Sequence, residues 1–227
     1  MYPRLVIDLE KVKNNVRVMR ELTDRGNCEL GLVTKSFCAD PEIVKAIDSV
    51  GIDFFADARI QNLESYKEIK TPKMLLRLPQ HCEIEKVVSF ADMSLNSELS
   101  TIKLLDQEAA KQGKTHKVVL IIDLGDLREG IFFKDEDIIM STFEEILKLK
   151  NIKLHGVGVN LTCYGAVIPK QDNLSTLVEI AGKIESRFNI KLDMISGGNS
   201  SSIYLIDKEG LPEGINSLRV GEAFILG

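Results

Sequence analysis

Short apolar segments alternate with longer stretches of helical spacing along the whole 227-residue chain. That alternation constrains the fold most, because a strand, a helix and a second strand in turn return the chain to the same end of a sheet and make the sheet parallel. Candidate strands are Leu30–Thr34, Ile52–Ala56, Met74–Leu78, Asp92–Asn96, Val118–Leu124, Leu154–Leu161, Leu192–Ser196 and Ser217–Phe224. Between them, apolar residues recur three and four apart. Leu9, Val12, Val16, Met19 and Leu22 form one such face, and Leu174, Leu177, Val178, Ala181, Ile184 and Phe188 form another. Asp40 before Pro41 reads as an N-cap and a first helical residue, and Ser97 with Glu98 opens a helix in the same manner. Eight strand–helix units in a chain of this length fit a closed (β/α)8 TIM barrel of parallel strands better than an open doubly wound sheet. The open sheet would carry G-x-G-x-x-G after an early strand, and none is present. No Pro/Gly/Ser-rich linker, low-complexity tract or repeat divides the chain, so residues 1–227 are expected to form one barrel domain. Arg4–Asp8 reads as an extra N-terminal strand. A closed barrel has no free edge for it, so it is expected to cap the barrel bottom or to pair outside this sequence.

Composition narrows the function. With 44% hydrophobic and 28% charged residues the chain is an ordinary globular one, and a net charge of −5 argues against a nucleic acid or a membrane surface bound through net charge. A local basic pocket stays open. Cys28, Cys38, Cys82 and Cys163 form no C-x-x-C pair and are expected to be reduced thiols. His81, His116 and His155 do not fall at ligand spacing with them, so no metal site is expected. The mid-chain apolar run Val118–Ile122 is far too short to span a bilayer, and the N-terminus, with Arg4, Asp8, Glu10 and Lys11, lacks a signal peptide's apolar stretch. A cytoplasmic chain is expected.

In such a barrel the site lies where the strands end, so the residues just past each strand carry the chemistry. They are Lys35 after strand one, Asp57-Ala-Arg59 after strand two, Arg77 near the end of strand three, and Asn96-Ser97 at strand four. Asp123 to Gly130 follows strand five, strand six ends at Asn160 and is followed by Thr162-Cys-Tyr-Gly165, Ser196 to Ser202 follows strand seven, and Arg219-Val-Gly-Glu222 closes the eighth. The Ser196–Ser202 run is the strongest signal. Its adjacent glycines admit close approach to an anion, and the Asn and serines open a helix whose free N–H groups attract negative charge. Loops after strands seven and eight are a common phosphate site in barrels; a plain serine turn is the competing reading. Lys35, ending an apolar strand, would be partly desolvated and able to form an imine with a carbonyl, or else would reach out to solvent. An imine-forming lysine and a phosphate clamp across one mouth describe a small phosphorylated aldehyde such as pyridoxal 5′-phosphate. Arg59, Arg77, Arg128 and Arg219 each suit either a substrate carboxylate or a structural ion pair. His155, at the start of a strand, points to the barrel bottom, and Tyr164 in the mouth loop could contact a ligand or pack.

These motifs resemble, in the same order, the alanine racemase family of fold-type III pyridoxal phosphate enzymes. The resemblance runs through Ile7 to Asn15, Lys35 in Gly31-Leu-Val-Thr-Lys-Ser36, Asp123-x-Gly-x-x-Arg128-x-Gly130, Asn199-Ser200 and Arg219-x-Gly221, over essentially the whole chain. It is closer still to the ornithine racemase branch through residues 57–63, 123–130, 158–165 and 196–204. It implies that Lys35 holds the cofactor as an imine and then serves as one of two opposed acid/bases. It implies further that Arg219 bonds the pyridine nitrogen and, keeping its own proton, damps the electron sink. Ser200 with N–H groups around Gly221 and Glu222 would cup the phosphate beside Asn199, and Arg128 would lie near the lysine and the substrate carboxylate. Two positions depart from the family pattern. Asn160 stands where a ring-stacking histidine is usual, and Ala39 where a phosphate-binding tyrosine is usual.

Racemisation needs a base on each face of Cα. In this family the second is a tyrosine on a C-terminal β-domain, given across a homodimer interface, and that domain is not among these residues. The chain is therefore expected to be the barrel portion of a cytoplasmic amino-acid racemase acting on ornithine, with Asp57, Asp126 and Glu129 as candidates for the second amine. Rival readings are a non-catalytic single-domain pyridoxal phosphate homeostasis protein, or another fold-type III enzyme such as a decarboxylase or a D-threonine aldolase. A third is a phosphosugar-binding barrel in which Lys35 forms an imine with substrate.

Overall fold

The computed structural model describes Pro3 and residues 5–162 and 167–226. Its strands are β1 (Glu29–Val33), β2 (Phe54–Asp57), β3 (Lys73–Leu75), β4 (Met93–Asn96), β5 (His116–Asp123), β6 (Ile131–Phe132), β7 (Ile152–Gly158), β8 (Met194–Asn199) and β9 (Ser217–Val220). Its helices are α1 (Leu9–Arg25), α2 (Pro41–Asp48), α3 (Ile60–Ser65), α4 (Ile84–Phe90), α5 (Leu99–Gln112), α6 (Glu136–Ile146), α7 (Gln171–Phe188), α8 (Tyr204–Lys208) and α9 (Glu222–Leu226). Eight strands pair in the order β4-β3-β2-β1-β9-β8-β7-β5, and the parallel β4–β5 pairing closes the ring. The expected barrel is present.

Side-chain alternation divides the wall into two faces. Register places Val33, Phe54, Ala56, Met74, Met93, Leu95, Val119, Ile121 and Met194 together inside the ring. The alternate residues, such as Leu32, Phe55, Val118, Leu120, Val157 and Leu218, face the helices and join Val16, Ile43, Leu105, Phe143, Leu177 and Ile184 in a second core. The helical faces read from sequence are the ones that pack there. Val12, Val16 and Met19 are buried on α1, and Leu174, Leu177, Ala181 and Ile184 on α7. Asp40 caps α2 through the N–H groups of Glu42 and Ile43. At α5 the cap position falls on Glu98 instead of Ser97, with no side-chain bond, and the Ser97 Oγ is buried.

The expected N-terminal strand is not there. Residues 5–8 form no strand, Leu5 and Val6 are 87% and 76% exposed, and Asp8 instead caps α1 through the N–H groups of Glu10 and Lys11; Arg4 lies outside the described residues. The ring is closed, so it offers this segment no unpaired edge. The additional strand is β6, which pairs with β5 alone. The eighth candidate strand also ends early, at Val220. Gly221 runs against Val33, where a Cβ would come within 3.1 Å of the valine Cβ, and the chain turns there into α9. Among the described residues no helix is long and apolar enough to cross a membrane.

Candidate functional site

The carboxyl ends of the strands open onto a cavity of about 800 Å3, a size that takes a small cofactor together with a small substrate. Lys35, Arg128, Glu129, Asn160, Asn199, Ser200, Arg219, Gly221 and Glu222 all line it. The structure thus brings together every residue singled out from sequence as catalytic or cofactor-binding.

Lys35 is presented by a short 3-10 turn, Lys35–Phe37, that begins just past β1. Beneath it the buried Thr34 hydroxyl bonds Asp57 Oδ2 at 2.6 Å, and Asp57 also takes Asn62 Nδ2 and the N–H of Arg59. Cys38 and Ala39 then take the left-handed conformation, and the Ala39 N–H closes on the Thr34 carbonyl. The lysine side chain is exposed, which is the second of the two fates left open by the sequence and not partial desolvation. The reason is its position, on the turn after the strand and not within it.

Arg219 sits deeper. It is 2% exposed, on the inner face of β9, and its guanidinium donates to Ser196 Oγ, to the Val159 carbonyl at 2.7 Å and to Asn160 Oδ1 at 2.7 Å. Glycine makes room for it, since a Cβ at Gly158 would lie 3.4 Å from its Nη1. Burial lowers its pKa to about 10, with the charge of Glu129 acting the other way, so it keeps its proton at neutral pH. Asn160 donates in turn to Glu129 Oε1, and Glu129 Oε2 lies 2.8 Å from Arg128 Nε.

The serine run ends β8 at Asn199 and continues as a 3-10 turn, Ser200–Ser202, ahead of α8. No long helix opens here. The N–H groups of Gly221 and Ala223 converge on Ser200 Oγ at 3.0 and 3.3 Å. The second donor is Ala223, one residue beyond the expected Glu222, whose side chain is exposed at the rim. Asn199 lines the cavity but uses its amide locally, donating to the Leu161 carbonyl and accepting from the N–H and hydroxyl of Ser201.

Of the carboxylates expected to meet a second amine, only Glu129 reaches the cavity. Asp57 is held under the Lys35 turn, and Asp126 accepts from the N–H groups of Thr162 and Val167, tying two mouth loops together. Arg77 lines the rim 4.0 Å from Glu83. Arg59, which precedes α3, is not among the lining residues. His155 pairs with Asp193 at the start of β8, away from the mouth, and Tyr164 and Cys163 lie outside the described residues. No group of His, Cys, Asp and Glu suited to a metal occurs among the described residues. The Asn160–Glu129–Arg128 linkage is absent from the sequence reading. Its only trace there is the adjacency of Arg128 and Glu129 before a glycine.

The sequence profile of the alanine racemase N-terminal domain family matches residues 7–226. The chain is 55% identical over 227 residues to an ornithine racemase of Acetoanaerobium sticklandii, covering all of this chain and 64% of that protein. It is 34% identical over 229 residues to a lysine racemase of Thermotoga maritima, covering all of this chain and 63% of that one. The chain thus spans just under two thirds of the length of the curated relatives it matches. In fold it resembles an alanine racemase of Clostridium difficile, with a TM-score of 0.74 at 18% identity, over 93% of this chain and 56% of the other.

Proposed function

The chain belongs to the alanine racemase N-terminal domain family, and from that premise we propose that it is the cofactor-binding barrel of a pyridoxal phosphate-dependent amino-acid racemase acting on ornithine. The observation that carries this reading is a single cavity with an exposed lysine amine, a buried protonated arginine and a converging pair of backbone donors at the serine loop. A phosphorylated pyridine aldehyde needs those three kinds of partner, so the donor set fits the group. The names of the two curated relatives, an ornithine and a lysine racemase, favour a substrate with a second amine.

Bound in this cavity, the cofactor would supply an electron sink for the charge left when an amino acid loses its Cα proton. Lys35 would hold it and then move that proton on one face. Gly221, Ala223 and Ser200 would hold the phosphate. Arg219 would donate to the pyridine nitrogen and, keeping its own proton, leave that nitrogen unprotonated, which weakens the sink and favours return of the proton to Cα over side reactions. Arg128 would meet the substrate carboxylate bidentately. Asn160 cannot stack as a histidine would, and its carbonyl instead holds Arg219.

The described lining residues include no tyrosine. The acid/base for the opposite face is proposed to come from a further domain of a partner subunit in a cytoplasmic homodimer. The test is a chiral assay of the full-length protein on ornithine, lysine and alanine, together with the visible absorbance of the pyridoxal phosphate-loaded protein. Racemisation of ornithine with the fastest kcat/KM, and loss of the lysine-bound absorbance in Lys35→Ala, are expected. Unchanged absorbance in that variant would overturn the assignment of Lys35, and turnover without inversion would overturn the reaction.

A further inference from the structure

Arg219 carries a buried positive charge, yet the three groups its guanidinium touches are all neutral: a hydroxyl, a carbonyl and an amide oxygen. A buried cation held only by neutral acceptors is costly unless an anion lies close behind one of them. Here the anion is one residue further along. Asn160 presents Oδ1 to Arg219 and Nδ2 to Glu129, and the second Glu129 oxygen is taken by Arg128 Nε at 2.8 Å. A primary amide can point either way, but between a group that only donates and a group that only accepts just one orientation makes both bonds. The arginine and the carboxylate therefore select the same orientation, and Glu129 fixes the end of Asn160 that the arginine does not hold.

The backbone is built to put Glu129 there. Gly130 has φ +119°, and a Cβ on it would fall 2.7 Å from the Asp123 nitrogen and 2.9 Å from the Ile121 carbonyl. The loop after β5 can fold back over its own strand end only with glycine at this position. That brings the residue before it against Asn160, which lies two residues past the end of the neighbouring strand β7.

Resting on the reading of Arg219 as the partner of the cofactor ring, we propose that Glu129 is a positioning residue. It orients the Asn160 amide and, through it, holds the Arg219 guanidinium aimed and charge-compensated under the cofactor. By the same bonds it couples Arg219 to Arg128, so the arginine for the ring and the arginine for the substrate carboxylate share one counter-ion. With both oxygens engaged in this way, Glu129 serves the cofactor side of the site and not the substrate's second amine.

The experiment uses the full-length protein in three forms: wild type, Glu129→Gln, and Glu129→Gln with Asn160→Asp. The double variant moves the negative charge one link inward. The new carboxylate at position 160 then accepts from Arg219, while the new amide at position 129 donates to that carboxylate. Pyridoxal phosphate affinity is expected to fall about tenfold in the single variant, the scale of one lost charge-assisted hydrogen bond, and to return to within about threefold of wild type in the double. The pH midpoint of the bound cofactor's absorbance change is expected to drop by roughly one unit in the single variant, because a carboxylate has left the field around it, and to recover in the double. A loss of general packing would not be repaired by an added carboxylate, nor would it move that midpoint. Equal affinity and midpoint in wild type and Glu129→Gln, or a double variant no better than the single, would overturn the proposal. Thermal unfolding of the cofactor-free protein tests the same linkage apart from the cofactor, with a lowered midpoint in the single variant and recovery in the double. Failure of wild type itself to bind pyridoxal phosphate would defeat the functional reading, while the unfolding series still decides whether Glu129 and Asn160 are coupled.

Discussion

The arc of barrel wall from β2 to β5 and the arc from β7 to β9 face each other across one interior and fill it by opposite means. The first arc supplies Phe54, Ala56, Met74, Met93, Leu95, Val119 and Ile121, which pack as an apolar cluster. At the matching heights the second arc supplies Gly156, Gly158, Ser196, Ser217 and Arg219, with only Met194 joining the apolar cluster. The glycines serve contact. A Cβ on Gly156 would overlap the Met194 carbonyl at 1.8 Å, and one on Gly158 would press on Arg219. One half of the barrel is filled by side chains, and the other is emptied so that a cation can be brought in and surrounded by oxygen. A (β/α)8 interior thus need not be one uniform plug. It can be divided between stability and chemistry by the choice of inward residues on adjacent strands.

Phe54→Ala should show the largest effect. The ring lies across Gly31, where a Cβ would fall 2.2 Å from it, so no neighbour can close the hole, and about 3–5 kcal/mol of stability is expected to be lost in urea unfolding. Cofactor affinity should change far less than stability. A proportional loss of both would show that the two arcs do not act separately.

An acid titration probes the outer face of the filled arc. His116, at the start of β5, is buried against Ser94, and burial lowers its pKa to about 4 from an ordinary value of 6.5. Between those two values the unfolded chain takes up the proton and the folded one does not, so stability is complete above the upper value and falls with pH through the window. The loss should approach about 3.5 kcal/mol, roughly 1.4 per pH unit. His116→Gln should flatten that slope in unfolding measured across the window, and an equally steep slope would place the acid sensitivity elsewhere.

The smallest effect is expected from Gly158→Ala, at about 1 kcal/mol of stability, because the added methyl would meet the side chains of Ser196, Arg219 and Ile121 at 3.3, 3.4 and 3.5 Å and no backbone atom, so each neighbour need give only slightly. Its signature should be weaker pyridoxal phosphate binding out of proportion to the stability lost. Intact affinity would mean that the arginine has room to spare in the second arc.

Much of this was legible in the sequence, and the pattern of success has a physical cause. Every ring strand keeps buried apolar residues on at least one of its two faces, so all eight left an apolar stretch in the sequence. Residues such as Lys35, Ser200 and Arg219 could be placed because a barrel puts the ends of its strands in one mouth. What escaped depends on space and not on pattern. Leu5, Val6 and Ile7 are as apolar as a strand, but pairing needs an edge, and whether a ring closes is not written in any one segment. β6 is two residues long and leaves no periodicity. Glu129 looked like a free carboxylate for a substrate because its partners, Arg128 beside it and Asn160 thirty-one positions away, meet only once β5 and β7 are neighbours.

The pairing of β1 with β9 joins Glu29 to Ser217 and Gly31 to Arg219, nearly the two ends of the described chain. A growing polypeptide made from its amino end would therefore emerge with seven ring strands out and the ring still open, since the eighth is also the last to be synthesised. Contacts so distant in sequence form slowly. Lys35 leaves the ribosome early, but the arginine, the N–H groups of Gly221 and Ala223, and the strand that seals the ring arrive together as the last parts of the barrel. Cofactor capture should thus trail synthesis of β9, and the open ring before it is the interval in which a chaperone would have most to protect.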